Sequence, residues 1–401
     1  MVTRTEDLDS LLARIPDPAI RALFSREFIL CAEHFDRFTI DSVLRLVHAL
    51  DLASDLAGGA SARQILERHG YAPRAAIPVR WFLAKLADAG YLSASGGDAG
   101  SRDSSERVYV ARGPLPPGDP DRAESQARAL DPGSAPAFAV VRAMVEHVPE
   151  FLRGERTGEE ILFAPTQLPL WFDYFSNDNL LYQINNRLGA EAVARSLPAA
   201  RAATVLEIGG GSGSAALAVG ERLARDAALT RIGLYRFTEV VPTFLRRAER
   251  SLRARFPSWP LEFARLDMDR DFVEQGVPPE SADVVYAVNT VHIARDLQAT
   301  LTRIRGALRP GGVAVFSECV RPFPEQPIYV EFVFNFLENF TGVVTDARTR
   351  PNHGFLTPAN WRDALRAAGF EAPEILPDVE ELARHYHAFF VAAVTASRPR
   401  S

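Results

Sequence analysis

His292 and Glu318 are the side chains whose types and placement suit proton abstraction. His292 follows Asn289-Thr290-Val291 at the end of the apolar run Ala282–Val288, and Glu318 follows Ser317 after the run Val313–Phe316. If these runs are neighbouring strands of one sheet, their ends lie about 5 Å apart laterally. The two side chains could then hydrogen-bond, the carboxylate fixing the imidazole tautomer and raising its basicity. Such a base can deprotonate a carbon between two carbonyls, or a phenol. Taken singly, His292 suits a packing or helix-capping role and Glu318 a solvated one. The chemistry lies in the pair.

Both runs belong to an alternation of apolar strands and amphipathic helices that starts at Ala202, the pattern of a parallel sheet with crossover helices. The first strand, Thr204–Ile208, leads into Gly209-Gly210-Gly211-Ser212-Gly213-Ser214 and then the helix Ala215–Arg225. Glycines there let a ligand approach the backbone at a helix N-terminus. The loop fits Gly209-x-Gly211-x-Gly213 of S-adenosylmethionine (SAM) sites and equally Gly211-x-Gly213-x-x-Ala216 of dinucleotide folds; a tight turn without ligand is the bland alternative. Glu207, two residues earlier, favours the first as a partner for a cationic amino group. The strand Arg231–Phe237 ends in Thr238-Glu239, where a carboxylate can accept two ribose hydroxyls. Leu261–Leu266 ends in Asp267-Met268, placed to hold an adenine amine. Asn289 closes the set. The helix Asp296–Leu308 is expected to stop at Arg309-Pro310-Gly311-Gly312, ahead of the strand Val313–Phe316. Every polar candidate except Glu207 falls just past the C-terminal end of a strand, the edge where open α/β sheets bind ligands.

The rest of the chain must support that edge. Val43, Leu44, Leu46, Val47 and Leu50 mark one helix, Ala62–His69 a second between Ser61 and Gly70, and Pro78–Ala89 a third ending at Gly90. With the hairpin flanking Ser93–Glu106, they form a winged-helix pattern. Such domains often bind DNA, but residues 1–90 carry 11 Lys and Arg against 12 Asp and Glu, too little charge to neutralise phosphates. A dimerisation or scaffold role is expected instead. Residues 113–135 are rich in Pro, Gly, Asp and Ser and read as a linker. Residues 136–198 read as a helical connector and active-site lid.

The 401 residues include 47% hydrophobic and 24% charged residues and carry a net charge of −6, a globular composition with no electrostatic call for nucleic acid. Cys31 and Cys319 are too few for a disulfide framework or a four-thiolate zinc site. No apolar run reaches the roughly 18 residues that span a bilayer, and the polar start is no signal peptide. A cytoplasmic protein without membrane partner is expected. No metal is expected either: His385-x-His387 precedes the apolar run Ala388–Val394, which reads as an edge-proximal strand. Tyr329, Phe332, Phe336 and Phe340 have helical spacing, suited to core packing or to the wall of an apolar pocket. His353 and Trp361 carry the same two readings. Lys85 is the only lysine.

The sequence resembles class I SAM-dependent methyltransferases, and among them the C-methyltransferase domains of polyketide synthases. The resemblance rests on Val205-Leu206-Glu207-Ile208-Gly209-Gly210-Gly211-Ser212-Gly213, Phe237-Thr238-Glu239-Val240-Val241-Pro242, Leu266-Asp267-Met268-Asp269, Gln275-Gly276, Ala287-Val288-Asn289-Thr290-Val291-His292 and Leu308-Arg309-Pro310-Gly311-Gly312. It covers residues 158–396. The N-terminal segment is instead similar to the dimerisation domain of small-molecule O-methyltransferases. The resemblance implies a Rossmann-like α/β fold with a seven-stranded, mostly parallel sheet over residues 199–401, preceded by a winged-helix domain over 1–112. It implies SAM as cofactor, held by Glu207, Gly209, Gly211, Gly213, Glu239, Asp267, Met268 and Asn289 and, from a lid-like region, by Tyr174 and Tyr182. His292 takes the base role toward a β-ketoacyl α-carbon and Glu318 orients it. The acceptor would be a small molecule or a carrier-tethered acyl group, and the chain a possible homodimer. Two departures stand out: Glu239 replaces the usual aspartate, and Ile293-Ala294 replaces small residues after the histidine. Two other functions fit the same residues, O-methylation of a phenol or enol, and SAM binding without methyl transfer in a rearrangement catalyst or regulator.

Overall fold

A computed structural model of the chain describes residues 7–96, 106–388 and 390–400. In the N-terminal part, the helix Arg26–Ala49 runs for 24 residues, longer than the short helices expected there, and buries Phe35, Phe38, Val43, Leu44 and Val47. Ser61 and Gln64 cap the helix Ala62–His69 reciprocally, and Gly70, at φ 64°, ends it. The third helix is Ala76–Asp88. Strands β1 (Ala60–Ser61), β2 (Leu92–Ser95) and β3 (Val108–Ala111) form an antiparallel sheet in the order β1-β3-β2. Most of the expected Ser93–Glu106 loop lies outside the described residues.

The segment read as a linker folds. Pro120–Leu130 is a helix with Asp119 as N-cap and Pro120 in its first turn. Ala123 and Ala127 are buried, and Asp121 meets Arg45 at 2.8 Å and Arg142 at 2.6 Å. The Asp-Pro pair that suggested loop chemistry is a helix-start signal here, and two small residues one turn apart let the helix pack closely.

The large sheet has seven strands in the order β6-β5-β4-β7-β8-β10-β9. These are β4 (Ala203–Glu207), β5 (Ile232–Thr238), β6 (Leu261–Ala264), β7 (Ala282–Val288), β8 (Leu308–Cys319), β9 (Glu371–Leu376) and β10 (Val391–Ser397). Neighbours from β6 through β8 pair in parallel, and β10 runs antiparallel to β8 and β9. All seven residues of β7 are buried, as a central strand covered on both faces requires. Alternate residues serve opposite faces: Val285 and Ala287 join one apolar cluster, Val284, Tyr286 and Val288 the other. Gly189, on the helix Leu180–Ser196, lies so close to the sheet that a Cβ would meet Tyr286 Oη at 2.5 Å.

Strand β8 begins at Leu308, the expected last residue of the helix, and takes in Arg309–Gly312, where a turn was expected. Gly311 N donates to Arg398 O at 3.0 Å and Arg398 N to Gly312 O at 2.8 Å, so the Pro-Gly-Gly stretch is held in the sheet by the chain's C-terminal end. The preceding helix is Leu297–Ala307, with Asp296 as N-cap.

The N-terminal segment and the large sheet share a core. Phe35 packs edge-on against Phe138 and Tyr329, each at 4.9 Å between centroids, and Phe82 stacks on Phe332 at 5.6 Å. Lys85 is buried between them, donating to Asp36 at 2.5 Å and to Pro327 O at 3.2 Å. Residues 1–112 therefore do not pack as a body with a separate core. Among the described residues, no helix is long and apolar enough to cross a membrane.

Candidate active site

The register Val288↔Ser317 sets the ends of β7 and β8 side by side. Asn289 then turns the chain at φ +46°, a left-handed conformation that asparagine tolerates better than most residues. Its Oδ1 accepts from Cys319 N at 2.8 Å, so the side chain expected at a cofactor fastens the two strand ends together. A short 3-10 turn, Val291–Ile293, follows and presents His292.

His292 Nδ1 lies 2.7 Å from Glu318 Oε2. The carboxylate is 0% exposed and the imidazole 4%. Glu318 Oε1 accepts from Val291 N at 3.1 Å and Thr290 N at 3.3 Å. With every partner of the carboxylate a donor, Nδ1 carries the ring proton in neutral His292 and Nε2 presents its lone pair. The side chain the sequence did not reveal is Arg350. Its buried guanidinium donates to Ala294 O at 2.5 Å and to His292 O, clamping the turn that carries His292. Nothing in an arginine 58 residues downstream, in a loop, marks that role.

The His292 ring borders a partly open cavity of about 150 Å3. Phe355 stands 4.4 Å and Phe340 5.9 Å from it, centroid to centroid. Phe35, Trp171, Phe175 and Tyr329 complete the apolar wall, so the N-terminal segment supplies part of the site. Tyr174 and Tyr182, 5.7 Å apart between rings, face the same space with Asn185 and Cys319. Burial pushes both phenols above the ordinary tyrosine range, so each remains a neutral hydroxyl. Of the aromatic series at helical spacing, Tyr329 and Phe340 line this cavity, whereas Phe332 and Phe336 pack beneath it against Phe82. The series is also broken between two short helices, Glu331–Phe334 and Glu338–Thr341.

The glycine loop adjoins the dyad through Thr290, whose Oγ1 lies 3.3 Å from Gly209 O. A Cβ on Gly209 would meet Thr290 Cγ2 at 2.5 Å, while Gly211, at φ +56°, faces open space. Gly213 precedes the helix Ser214–Arg225. Glu239, at the end of β5, accepts from Gly211 N at 2.9 Å and Val241 N at 2.8 Å, which ties its carboxylate to the loop and leaves one lone pair on each oxygen. Asp267 and Met268 lie beyond β6; the Gln275 amide accepts from Asp267 N at 2.8 Å and donates to Asp267 O at 2.9 Å, and Thr300 Oγ1 donates to Met268 O at 3.1 Å. Glu207 is buried at the end of β4. Its Oε2 accepts from Tyr235 Oη at 2.9 Å, and its Oε1 has no partner. Burial raises its pKa to about 8.

A polar orphan is costly unless a ligand satisfies it. The unpartnered Glu207 Oε1, the open face at Gly211 and the Glu239 carboxylate together fit a ligand that carries a cationic amino group and a ribose diol. The chain thus has a mostly parallel sheet with one reversed strand, a glycine loop after β4, and polar groups along one edge. That is the class I methyltransferase fold. Residues 206–314 match the family model of a methyltransferase domain. Polyketide synthase ThaG of Burkholderia thailandensis is 27% identical over 334 residues, 81% of this chain and 6% of that protein. The chain spans about a tenth or less of the curated relatives it matches. Among solved structures, the CurJ carbon methyltransferase superposes with a TM-score of 0.74 at 20% identity, covering 98% of this chain and 96% of that one. The trans-methyltransferase CalH, solved in complex with SAH, gives 0.61 at 22% identity, covering 91% and 90%.

Proposed function

We propose that this chain is a SAM-dependent C-methyltransferase that alkylates the activated α-carbon of a β-ketoacyl thioester. The observation that carries this reading is the buried His292–Glu318 pair at the wall of an aromatic cavity. Glu207, Gly209, Gly211, Gly213, Glu239, Asp267 and Met268 would hold SAM, and Asn289 would shape the adjoining turn. SAM supplies a methyl group on a positively charged sulfur that departs as a neutral thioether, an electrophile needing no activation.

The protein must therefore unmask the nucleophile. His292 Nε2 takes the α-proton as the C–H bond breaks, and the electron pair spreads onto the carbonyl oxygens. Glu318 stabilises the imidazolium that results, and Arg350 keeps the turn from drifting. The neutral hydroxyls of Tyr174 and Tyr182 are donors for the enolate oxygen. Phe340 and Phe355 flank the imidazole and exclude water, so the enolate–imidazolium attraction is not screened. Similarity to a polyketide synthase and to a carbon methyltransferase supports carbon over oxygen as the acceptor, and an acyl group delivered on a carrier.

Incubation with methyl-13C SAM and a β-ketoacyl N-acetylcysteamine thioester tests this reading. The expected product carries the labelled methyl on the α-carbon, as a high-field C-methyl signal in the 13C spectrum that becomes a quartet with proton coupling. A methoxyl signal would assign the enzyme to O-methylation, and SAM left unconsumed with every such thioester would remove the proposed function.

A further inference from the structure

The cavity beside His292 has a direction, which the exposure of its lining defines. Phe163, 39% exposed, and Asn339, also exposed, stand at its mouth. Phe35, Tyr329 and Phe390, each 4% exposed or less, lie on the buried side. The strand order β7-β8-β10 carries that side away from the imidazole. Val391, the first residue of β10, pairs with Cys319, and Phe390 precedes it. That segment is two strands, roughly 10 Å, from the strand that leads to His292.

Rings held by their neighbours close the buried end. Phe35 stacks on Phe38 at 6.0 Å and meets Phe138 and Tyr329 edge-on, each at 4.9 Å between centroids. Tyr329 in turn packs edge-on against Phe390 at 4.6 Å. A ring with three aromatic neighbours in a close-packed interior has no space to swing into. The free volume is small as well. An apolar cavity of about 150 Å3 takes one benzene, about six non-hydrogen atoms, and a 3-oxobutanoyl group has as many. Each further pair of methylenes needs room that the closed end lacks.

We propose that Phe35 is the stop that fixes acyl length in this cavity. A 3-oxobutanoyl group fits with its α-carbon at His292 and its terminal methyl against Phe35, and longer β-ketoacyl chains are refused. The first long helix thus selects the acceptor, while the sheet edge carries the imidazole. The stop acts on the thioester acceptor proposed above and rests on that reading.

The test runs 3-oxobutanoyl, 3-oxohexanoyl and 3-oxooctanoyl N-acetylcysteamine thioesters against wild type, Phe35→Leu and Phe35→Ala. Wild type should prefer 3-oxobutanoyl over 3-oxooctanoyl by at least about tenfold in kcat/KM, the low end of what a surplus methylene meets in a filled apolar pocket. Phe35→Ala should bring that ratio to about one, because the deleted ring leaves a cavity at the closed end. Phe35→Leu removes less volume, keeps the helix face apolar, and should relax the 3-oxohexanoyl penalty first. A residue that only supports the fold would lower all three acceptors alike. An unchanged ratio in both variants, or a wild type that accepts all three equally, would overturn the proposal. Binding is read separately: without SAM no methyl is transferred, so calorimetric titration with the same thioesters measures the cavity alone. Affinity that falls with chain length in wild type and is relaxed by either substitution supports the stop even if no thioester is methylated. Affinity that rises with length in wild type rejects it.

Discussion

The guanidinium of Arg350 donates to the main-chain carbonyl of His292, the residue whose imidazole pairs with Glu318. It donates also to Ala294 O, and it is 1% exposed. A buried cation thus commits one donor from each terminal nitrogen to the two carbonyls of the turn that carries His292. Arg350→Lys keeps the charge but loses the two-pronged geometry. It is expected to lower kcat about tenfold while the donor dissociation constant stays within about threefold, measured by turnover and by titration.

Glu318→Gln should be far more severe. The substituted amide preserves an acceptor for Val291 N and Thr290 N, but its NH2 then faces Nδ1 and forces the proton to Nε2, where the base lone pair belongs. Loss of kcat by about 10³-fold is expected, in line with general-base contributions of 10²–10⁴. Folding should be intact by circular dichroism.

Glu207, proposed above to hold SAM, should set a pH dependence on donor binding. Burial holds its pKa at about 8 in the free protein, and a cationic amino group favours the ionised form. Binding near pH 7 should therefore release protons, visible as calorimetric heats that vary with buffer, and affinity should tighten from pH 6 to pH 8.5. Glu207→Gln should flatten both. The same group gives a stability slope of the opposite sense. The folded free protein holds a proton between about 4.5 and 8 that the unfolded chain has lost, so this contribution falls as pH rises through that window.

Lys85 joins the N-terminal helices to the loop at Pro327, with Asp36 as its buried partner. Lys85→Met leaves a carboxylate without its cation, a defect that costs about 3–5 kcal/mol when a buried pair is broken. Adding Asp36→Asn should restore part of that loss. Chemical denaturation of the two single variants and the double variant measures the coupling.

Much of this site was legible because its parts lie at strand ends. The alternation from Ala202 gave the parallel strands, and the runs ending at Val288 and before Glu318 proved to be neighbours, which brought imidazole and carboxylate together. Residues that act by long-range convergence were not legible: Phe35 reaches the cavity from the first long helix, and Arg350 from a loop. The helix Pro120–Leu130 was missed because Asp, Pro and small residues serve helix starts as well as loops. The helical spacing of Tyr329 through Phe340 suggested one helix, with core packing and a pocket wall as alternatives; the chain breaks between them, and the rings divide between cavity and core.

His292→Ala decides the account most directly when donor binding and methyl transfer are measured on the same preparation. Transfer to the β-ketoacyl thioester should fall by about 10³-fold or more, while the SAM dissociation constant stays within about tenfold, or about 1.4 kcal/mol. Transfer retained within tenfold of wild type would show that the imidazole is not the base; loss of SAM binding would show that it is part of the donor's own site.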